Sequence, residues 1–292
     1  MVPLAHILTV VVPTKNEERN ITLCLRSIPA GISTYVVDSL STDRTRELAR
    51  DAGAHVTSFD WNGRFPKKRN WFLEQRLVRT PWVLFLDADE RLTMDFVAEL
   101  EATLPDSKHV GYWIRYSDRF MGVPLNHGIP MRKLALFKPA SGRYERIDDA
   151  RWTQLDMEVH EHPVLDGSVG ELKQRVLHFD ENPLEKWIAR HNDYSTWEAR
   201  RFVSGEVSAK TLRQRIKYRA LTSRTFPAAY FCAQYFAYAG FLDGRAGLKF
   251  AAAKAIYFAT VRQKIEELRR AEGRRTNSRY PQNADGDTHT TY

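Results

Sequence analysis

Unbroken apolar runs alternate along this chain with stretches in which apolar residues recur every three or four positions. Ile7 to Val12 and Trp82 to Leu86 contain no polar/apolar alternation except at Thr9, and Tyr35-Val36-Val37 is a shorter run of the same kind. Runs of this type read as strands buried on both faces of a sheet. Between them, Ile21, Leu25 and Ile28 have helical spacing, with Cys24 beside them. Ser41-Thr42-Asp43 offers N-cap chemistry for a helix running to about Ala52 and closed by Gly53. His55 to Phe59 predicts a fourth strand, Trp71 to Leu77 a helix after Pro66, and Met94 to Leu100 another helix. Gly111 to Tyr116, Arg132 to Lys138 and Val176 to Phe179 predict further strands. Ser117 to Pro130, with Gly122, Pro124, Gly128 and Pro130, predicts an irregular loop of the kind that serves as a lid.

The β-α-β-α-β order calls for an α/β fold: a mostly parallel central sheet with helices on both faces. In such sheets ligands bind beyond the carboxyl ends of the strands. Three strand ends deliver polar groups there: Thr14 to Glu17, then Asp38, then Asp87-Ala88-Asp89-Glu90. Asp-x-Asp places two carboxylates on one side of an extended backbone, where both can face a divalent ion. Taken alone that spacing also fits a solvated loop; three coincident strand ends favour a site. Lys67-Lys68-Arg69 opens a helix against its dipole, which either an anionic ligand or solvation would offset.

From Leu184 the pattern changes. Trp187, His191, Tyr194 and Trp197 share one helical face. Phe226 to Leu242 contains no charge, and Leu248 to Val261 is mostly apolar, interrupted by Lys249 and Lys254. The first run holds Pro227, Gln234 and Gly240, and a spanning helix needs about 20 apolar residues. These segments are expected to lie on a membrane surface as amphipathic helices, or else to form a buried hairpin or homodimer contact. The domains expected are a catalytic unit over 1–183, a helical extension over 184–272 and a disordered polar tail over 273–292.

Charge supports this division. Of the net +8, residues 1–180 contribute 24 Lys+Arg against 25 Asp+Glu, and residues 181–292 contribute 20 against 11. The basic excess is therefore C-terminal, and suits anionic lipid better than nucleic acid, for which no binding module is present. Cys24 and Cys232 both have apolar neighbours and are expected to be buried thiols. Met1 to His6 shows no secretory pattern, so a cytoplasmic setting on the inner face of the cell membrane is expected.

Val11 to Glu18 (VVPTKNEE), Val36 to Thr45 (VVDSLSTDRT) and Leu86 to Glu90 (LDADE) resemble the three opening motifs of family 2 glycosyltransferases with the GT-A fold. Residues 127–138, 159–161 and 240–248 extend the resemblance to the WaaE-like branch, bacterial lipopolysaccharide-core and capsule glucosyltransferases. The similarity covers roughly residues 5–270. It implies that Pro13, Thr14, Asn16 and Glu17 line a nucleotide-sugar pocket, that Asp38 hydrogen-bonds the base, usually uracil, and that Lys68 and Asn70 contact the nucleotide. It implies further that Asp87 lies near ribose and metal, and that Asp89 ligates Mg²⁺ or Mn²⁺ on the diphosphate. Ser39 stands where many relatives have a second Asp. An inverting transfer also needs a base for the acceptor hydroxyl. Glu161 is the candidate, Glu158 the second choice, with His160 to orient it. His127 and Arg132 are candidates for holding a glycolipid or polysaccharide acceptor, or the diphosphate. Rival readings are transfer to polyprenyl phosphate, a non-catalytic sugar-nucleotide sensor, and a basic nucleic-acid-binding protein.

Overall fold

The computed structural model describes residues 2–146, 153, 155–156, 162–205 and 212–279. A short helix α1 (Leu4–Ile7) leads into β1 (Leu8–Thr14), followed by α2 (Ile21–Arg26), β2 (Ser33–Asp38), α3 (Thr45–Asp51), β3 (His55–Ser58), α4 (Lys68–Glu74) and β4 (Trp82–Phe85). Next come β5 (Glu90–Arg91), α5 (Met94–Thr103), β6 (Gly111–Phe120), β7 (Val123–Leu125), β8 (Arg132–Phe137), β9 (Gly142–Tyr144), β10 (Pro163–Leu165) and β11 (Val169–His178). The chain ends in α6 (Leu184–Val203), α7 (Leu212–Ala220), α8 (Phe226–Cys232) and α9 (Gly244–Arg279).

The main sheet runs β3-β2-β1-β4-β8-β6-β11-β5, with β7 paired to β6. The β3-β2-β1-β4 half is parallel, and the strand reversals begin at β8. Every residue of β1 and β4 is buried, as unbroken apolar runs require. Register sets the site. Thr14 lies opposite Asp38, and Leu86 N–H donates to the Val11 carbonyl at 3.0 Å, so three strand ends meet at one edge. On the other half, antiparallel pairing sets His178 opposite Glu90, and parallel pairing sets it beside Asp118. The sheet thus gathers chemistry from Thr14 at one end of the catalytic unit and His178 at the other to one rim.

Several boundaries differ from the sequence expectation. Strand β1 continues through Pro13, because the β4 pairing ends at Val11 and leaves that flank without a ladder to break. Helix α4 begins at Lys68, two residues after Pro66, and ends at Glu74, short of the Leu77 expected. The expected lid is largely regular: β6 extends to Phe120 and turns at Met121-Gly122 into β7. The segment after β7 is pinned to the helical region. Asp243 accepts from Asn126 N–H (3.1 Å), His127 N–H (2.9 Å) and faces His127 Nδ1 at 2.9 Å. Gln234 Oε1 accepts from Ile129 N–H at 2.9 Å, and Gly128 N–H donates to the Tyr238 carbonyl at 2.8 Å. Gly128 has φ of 103°, and a Cβ there would strike the Gln234 amide.

The 240–248 segment also forms the start of α9. A Cβ at Gly247 would collide with the Gly240 carbonyl, so the 3₁₀ turn Gly240–Asp243 packs flush on the helix. Helix α9 runs to Arg279, beyond the boundary expected at 272. Helices α6, α7, α8 and α9 share a core of Ala199, Leu221, Phe258, Val261 and Ile265. That core accounts for one face of the helical region. Outside that core Phe236, Phe241, Leu242 (60%) and Ile256 (66%) are exposed. Cys24 is buried as expected; Cys232, on the outer side of α8, is exposed, which corrects the expectation for that thiol.

Candidate active site

The loop after β1 is tied to the loop after β2 by side chains that look, in sequence, like nucleotide contacts. Asn16 adopts φ of 55°, its N–H donates to Ser41 Oγ (2.8 Å), and its Oδ1 accepts from Thr42 N–H (2.8 Å). Glu17 N–H donates to Thr45 Oγ1 at 2.7 Å. Asp38 is fully buried; its Oδ2 accepts from Thr14 Oγ1 (3.0 Å) and Ser41 Oγ, and its Oδ1 from Ser41 N–H (2.9 Å). Ser39 Oγ beside it is buried with no hydrogen-bond partner. The two loops therefore form one braced wall.

Lys67, Lys68 and Arg69 are buried, which rules out a solvated basic turn. Lys68 Nζ donates to the Thr14 carbonyl at 2.9 Å and lies 3.4 Å from Asp156. Burial pushes its pKa below the ordinary lysine value, with Asp156 pulling the other way. Asn70 exchanges two hydrogen bonds with the Tyr144 backbone, at 3.0 and 3.1 Å. Both residues brace α4 against β1 and β9.

The acidic loop after β4 is neutralised by cations from four separate elements. Arg69 holds Asp87 Oδ1 at 2.8 Å, and Lys133 of β8 holds Asp87 Oδ2 at 2.6 Å while also pairing with Glu90. Burial raises the pKa of Asp87, but Lys133 and then Arg69 outweigh it and bring the carboxyl down to about 2. Glu90 is fully buried, and burial pushes it up to about 7 against the pull of Lys133. Its carboxylate also accepts from Asp87 N–H at 3.0 Å, closing the turn. Asp89 Oδ2 lies 3.6 Å from His178 Nε2 and 3.2 Å from Arg190 Nη1. Although burial opposes its charge, His178 and then Arg190 hold the Asp89 carboxyl far below its ordinary range.

The His178 environment is that of a potential metal ligand. Its Nδ1 is 2.8 Å from Asp118 Oδ1, which orients the ring and leaves Nε2 turned toward Asp89. A carboxylate on the far nitrogen is the usual companion of a metal-bound imidazole. One carboxylate plus one imidazole suits Mn²⁺ or Mg²⁺ when ligand phosphates and water complete the shell. Among the described residues no cluster of three or more His, Cys, Asp or Glu could hold an ion without such help. The donor set therefore fits an ion that arrives with a diphosphate.

Of the residues expected from sequence, Thr14, Asn16, Glu17, Asp38, Lys68, Asn70, Asp87 and Asp89 come together at this edge, and Pro13 lies within β1 beside them. His127 is bound to Asp243 on the helical side. Arg132 lies over the Trp113 ring (5.3 Å) and 3.9 Å from Glu171. Neither makes a contact with the acidic loop. Glu158, His160 and Glu161 lie outside the described residues. Sequence reasoning missed Lys133, His178 and Arg190, and noted Arg69 only as part of the basic run Lys67-Lys68-Arg69. Only His178 carried a usable signal, a polar residue ending an apolar run.

Comparison with known proteins places the chain in a family. The family described as glycosyl transferase family 2 matches residues 9–156. The chain belongs to that family. It is 30% identical over 193 residues to the lipopolysaccharide core biosynthesis glycosyltransferase LpsC of Rhizobium meliloti, covering 63% of this chain and 67% of the relative. A glycosyltransferase of Rickettsia felis is 26% identical over 263 residues, 86% of this chain and 88% of the relative. Among solved structures, Staphylococcus aureus TarS 1–349 aligns over 91% of this chain and 92% of its own at 17% identity and TM-score 0.44. Glucosyl-3-phosphoglycerate synthase of Mycobacterium tuberculosis, crystallised with Mn²⁺, UDP and its product, aligns over 39% of this chain and 44% of its own at 26% identity and TM-score 0.32. Both TM-scores are below 0.5, so membership rests on the sequence matches. The family 2 chain is a glycosyltransferase with a mixed α/β fold.

Proposed function

We infer that this glycosyltransferase moves a sugar, with inversion, from a nucleotide-sugar (a UDP-sugar foremost) to a lipid-linked or lipopolysaccharide acceptor at a membrane surface. The observation that carries the reading is Asp89 facing a carboxylate-oriented His178 at the edge where the β1 and β2 loops form a braced wall. Asp89 and His178 would hold Mg²⁺ or Mn²⁺, which supplies charge neutralisation for the departing nucleoside diphosphate. Asp87, with an oxygen on Arg69 and the other on Lys133, fixes the turn that aims Asp89. The wall of Asn16, Ser41, Thr42 and Asp38 positions the nucleotide, and Ser39 Oγ offers a free hydroxyl beside it. Glu161, with Glu158 as second choice and His160 to orient it, is the base proposed to take the acceptor hydroxyl's proton.

The acceptor class is supported by the likeness to LpsC, whose name is lipopolysaccharide core biosynthesis glycosyltransferase. It is supported further by the outer face of the helical region. Outside that core Phe236, Tyr238, Phe241, Leu242, Leu248 and Ile256 are exposed, as are Arg224, Arg245 and Lys249. Asp243, the one acid between residues 225 and 261, is turned inward with 4% side-chain exposure. An apolar face with only basic charge exposed suits an anionic bilayer. No helix among the described residues is long and apolar enough to cross a membrane.

The test is sugar transfer by Asp89→Asn, measured with a panel of UDP-, GDP- and ADP-sugars and Mn²⁺. A loss of about 10²–10³-fold in kcat is expected, the scale set by removing one electrostatic stabiliser of a transition state. Unchanged turnover would remove the metal-binding role of Asp89.

A further inference from the structure

Arg190 lies on α6, outside the residues that match the family. Its guanidinium spans three carboxylates from three loops. Nη1 is 3.2 Å from Asp89 Oδ2 and 3.6 Å from Asp180 Oδ2, and Nη2 donates to Glu17 Oε1 at 3.0 Å. Burial works against the cation, but Asp89 and then Glu17 more than compensate, and its pKa lies above the ordinary guanidinium value.

The two ends of this bridge differ. Glu17 is fixed: its Oε2 accepts from Asn20 Nδ2 (2.8 Å) and Asn182 Nδ2 (3.0 Å), and its Oε1 takes Arg190 Nη2, with Lys186 Nζ 3.7 Å away. Asp89 has a second task, because it faces His178 in the donor set described above. A guanidinium and a divalent cation on one carboxylate repel each other. An anion between them removes the conflict, and a nucleoside diphosphate carries more negative charge than one divalent ion cancels. Arg is also the side chain whose planar fork matches phosphate oxygens.

We propose that Arg190 is a donor-binding residue that occupies Asp89 in the free enzyme and transfers its Nη1 edge to the donor diphosphate when nucleotide and metal arrive together. Glu17 keeps Nη2 throughout and acts as the positioning residue for that movement. Free metal meets a competing cation at Asp89, so metal binding without nucleotide is weak. The diphosphate gains a second cation, carried by the protein, as charge develops on it in transfer. Lys186 supports the same turn: its Nζ donates to the Asn16 carbonyl and to Asn182 Oδ1 (3.2 Å), and lies 3.7 Å from Glu17 Oε1. The inference rests on the reading of Asp89 as a metal ligand for a nucleotide-sugar.

Two binding measurements on the full chain test it: Mn²⁺ alone, followed by electron paramagnetic resonance of the free ion, and UDP or GDP with saturating Mn²⁺, followed by calorimetry. Arg190→Gln should bind Mn²⁺ alone several-fold more tightly and Mn²⁺–nucleotide about tenfold or more weakly, the scale of a lost charge-assisted hydrogen bond. These changes have opposite signs, which a purely structural role does not produce. Arg190→Lys keeps a charge without the fork and, as the variant better able to fold, should leave Mn²⁺ binding near wild type while weakening Mn²⁺–nucleotide about threefold. Wild-type nucleotide binding with unchanged affinity in both variants, or a parallel loss of both affinities in Arg190→Gln, would overturn the inference alone. Wild-type protein that binds neither nucleotide with Mn²⁺ would overturn the reading of Asp89 and the inference with it.

Discussion

Lys133→Met removes the cation that holds the acidic turn together while keeping most of the side-chain stem. The ammonium of Lys133 lies 2.6 Å from Asp87 Oδ2, pairs with Glu90, and sits 5.0 Å from the centre of the Tyr116 ring. Removing one partner of a buried pair costs about 3–5 kcal/mol, because the remaining charge is left uncompensated. Two features place this site at or below the lower end of that range. Lys133 retains 30% side-chain exposure, and Asp87 keeps Arg69 at 2.8 Å. A loss of about 2–3 kcal/mol is therefore expected, lowering Tm by roughly 5–10 °C for a chain of this size.

The mechanism has its own signature. Most of the cost should come from Glu90, which is fully buried and lacks the second cation that Asp87 has in Arg69. Adding Glu90→Gln to Lys133→Met replaces the stranded carboxyl with a neutral amide, which still offers an oxygen to Asp87 N–H. The double variant should recover about 1–2 kcal/mol relative to Lys133→Met, a non-additivity expected only of residues in direct contact. Thermal and urea unfolding of the wild type, both single variants and the double variant supply the cycle. A Lys133→Met protein that melts with the wild type, or a double variant whose losses simply add, would refute the view that this lysine holds the turn.

Two further substitutions test the helical side. Asp243→Ala removes the acceptor shared by Asn126, His127 and the His127 ring, and should cost about 1–3 kcal/mol while raising amide exchange selectively over residues 123–130; uniform exchange along the chain would show that Asp243 does not anchor this loop. Replacing Phe241 and Leu242 together by Ser should weaken binding to vesicles containing anionic lipid by roughly tenfold or more, given two large exposed apolar side chains. Unchanged vesicle binding, or a shift from dimer to monomer in sedimentation, would reassign that face to a protein contact.

The parallel half of the fold was legible because buried parallel strands have a pattern of their own. Val10-Val11-Val12 and Val83-Leu84-Phe85 carry no polar residue, and their order with the helices allowed one topology for the strand ends. The β6–β7 hairpin was not legible. Its turn is Met121-Gly122, its second strand contains Pro124, and the proline is tolerated because β7 is an edge strand paired only to β6. In sequence those residues look like loop. The anchors that hold the next segment, Gln234 and Asp243, lie more than a hundred positions away.

The candidate site divides along the same physical line. Its carboxylates could be found because they cluster in sequence at strand ends, where local spacing states which of them are neighbours. Its cations were harder to find: Lys133 and Arg190 come singly from β8 and α6, where a lone basic residue has no local signature, while Arg69 in the basic run of α4 and His178 at the end of an apolar run on β11 gave no sign of which acid they meet. Yet the cations decide what the carboxylates can do. Asp87 has an oxygen on each of two cations, Arg69 and Lys133, and serves the turn, whereas Asp89 is held at Oδ2 by a residue on α6 and a ring on β11. The two acids of one Asp-x-Asp therefore have different roles, and the difference comes from elements up to a hundred residues downstream. Because α6 packs its far end against α9 through the core at Ala199, the residue that bridges Asp89 and Glu17 lies on a helix that adjoins the region proposed to meet the membrane. The proposed donor contact and the proposed membrane face are thus joined by the packing of α6 on α9, which no short motif in this chain announces.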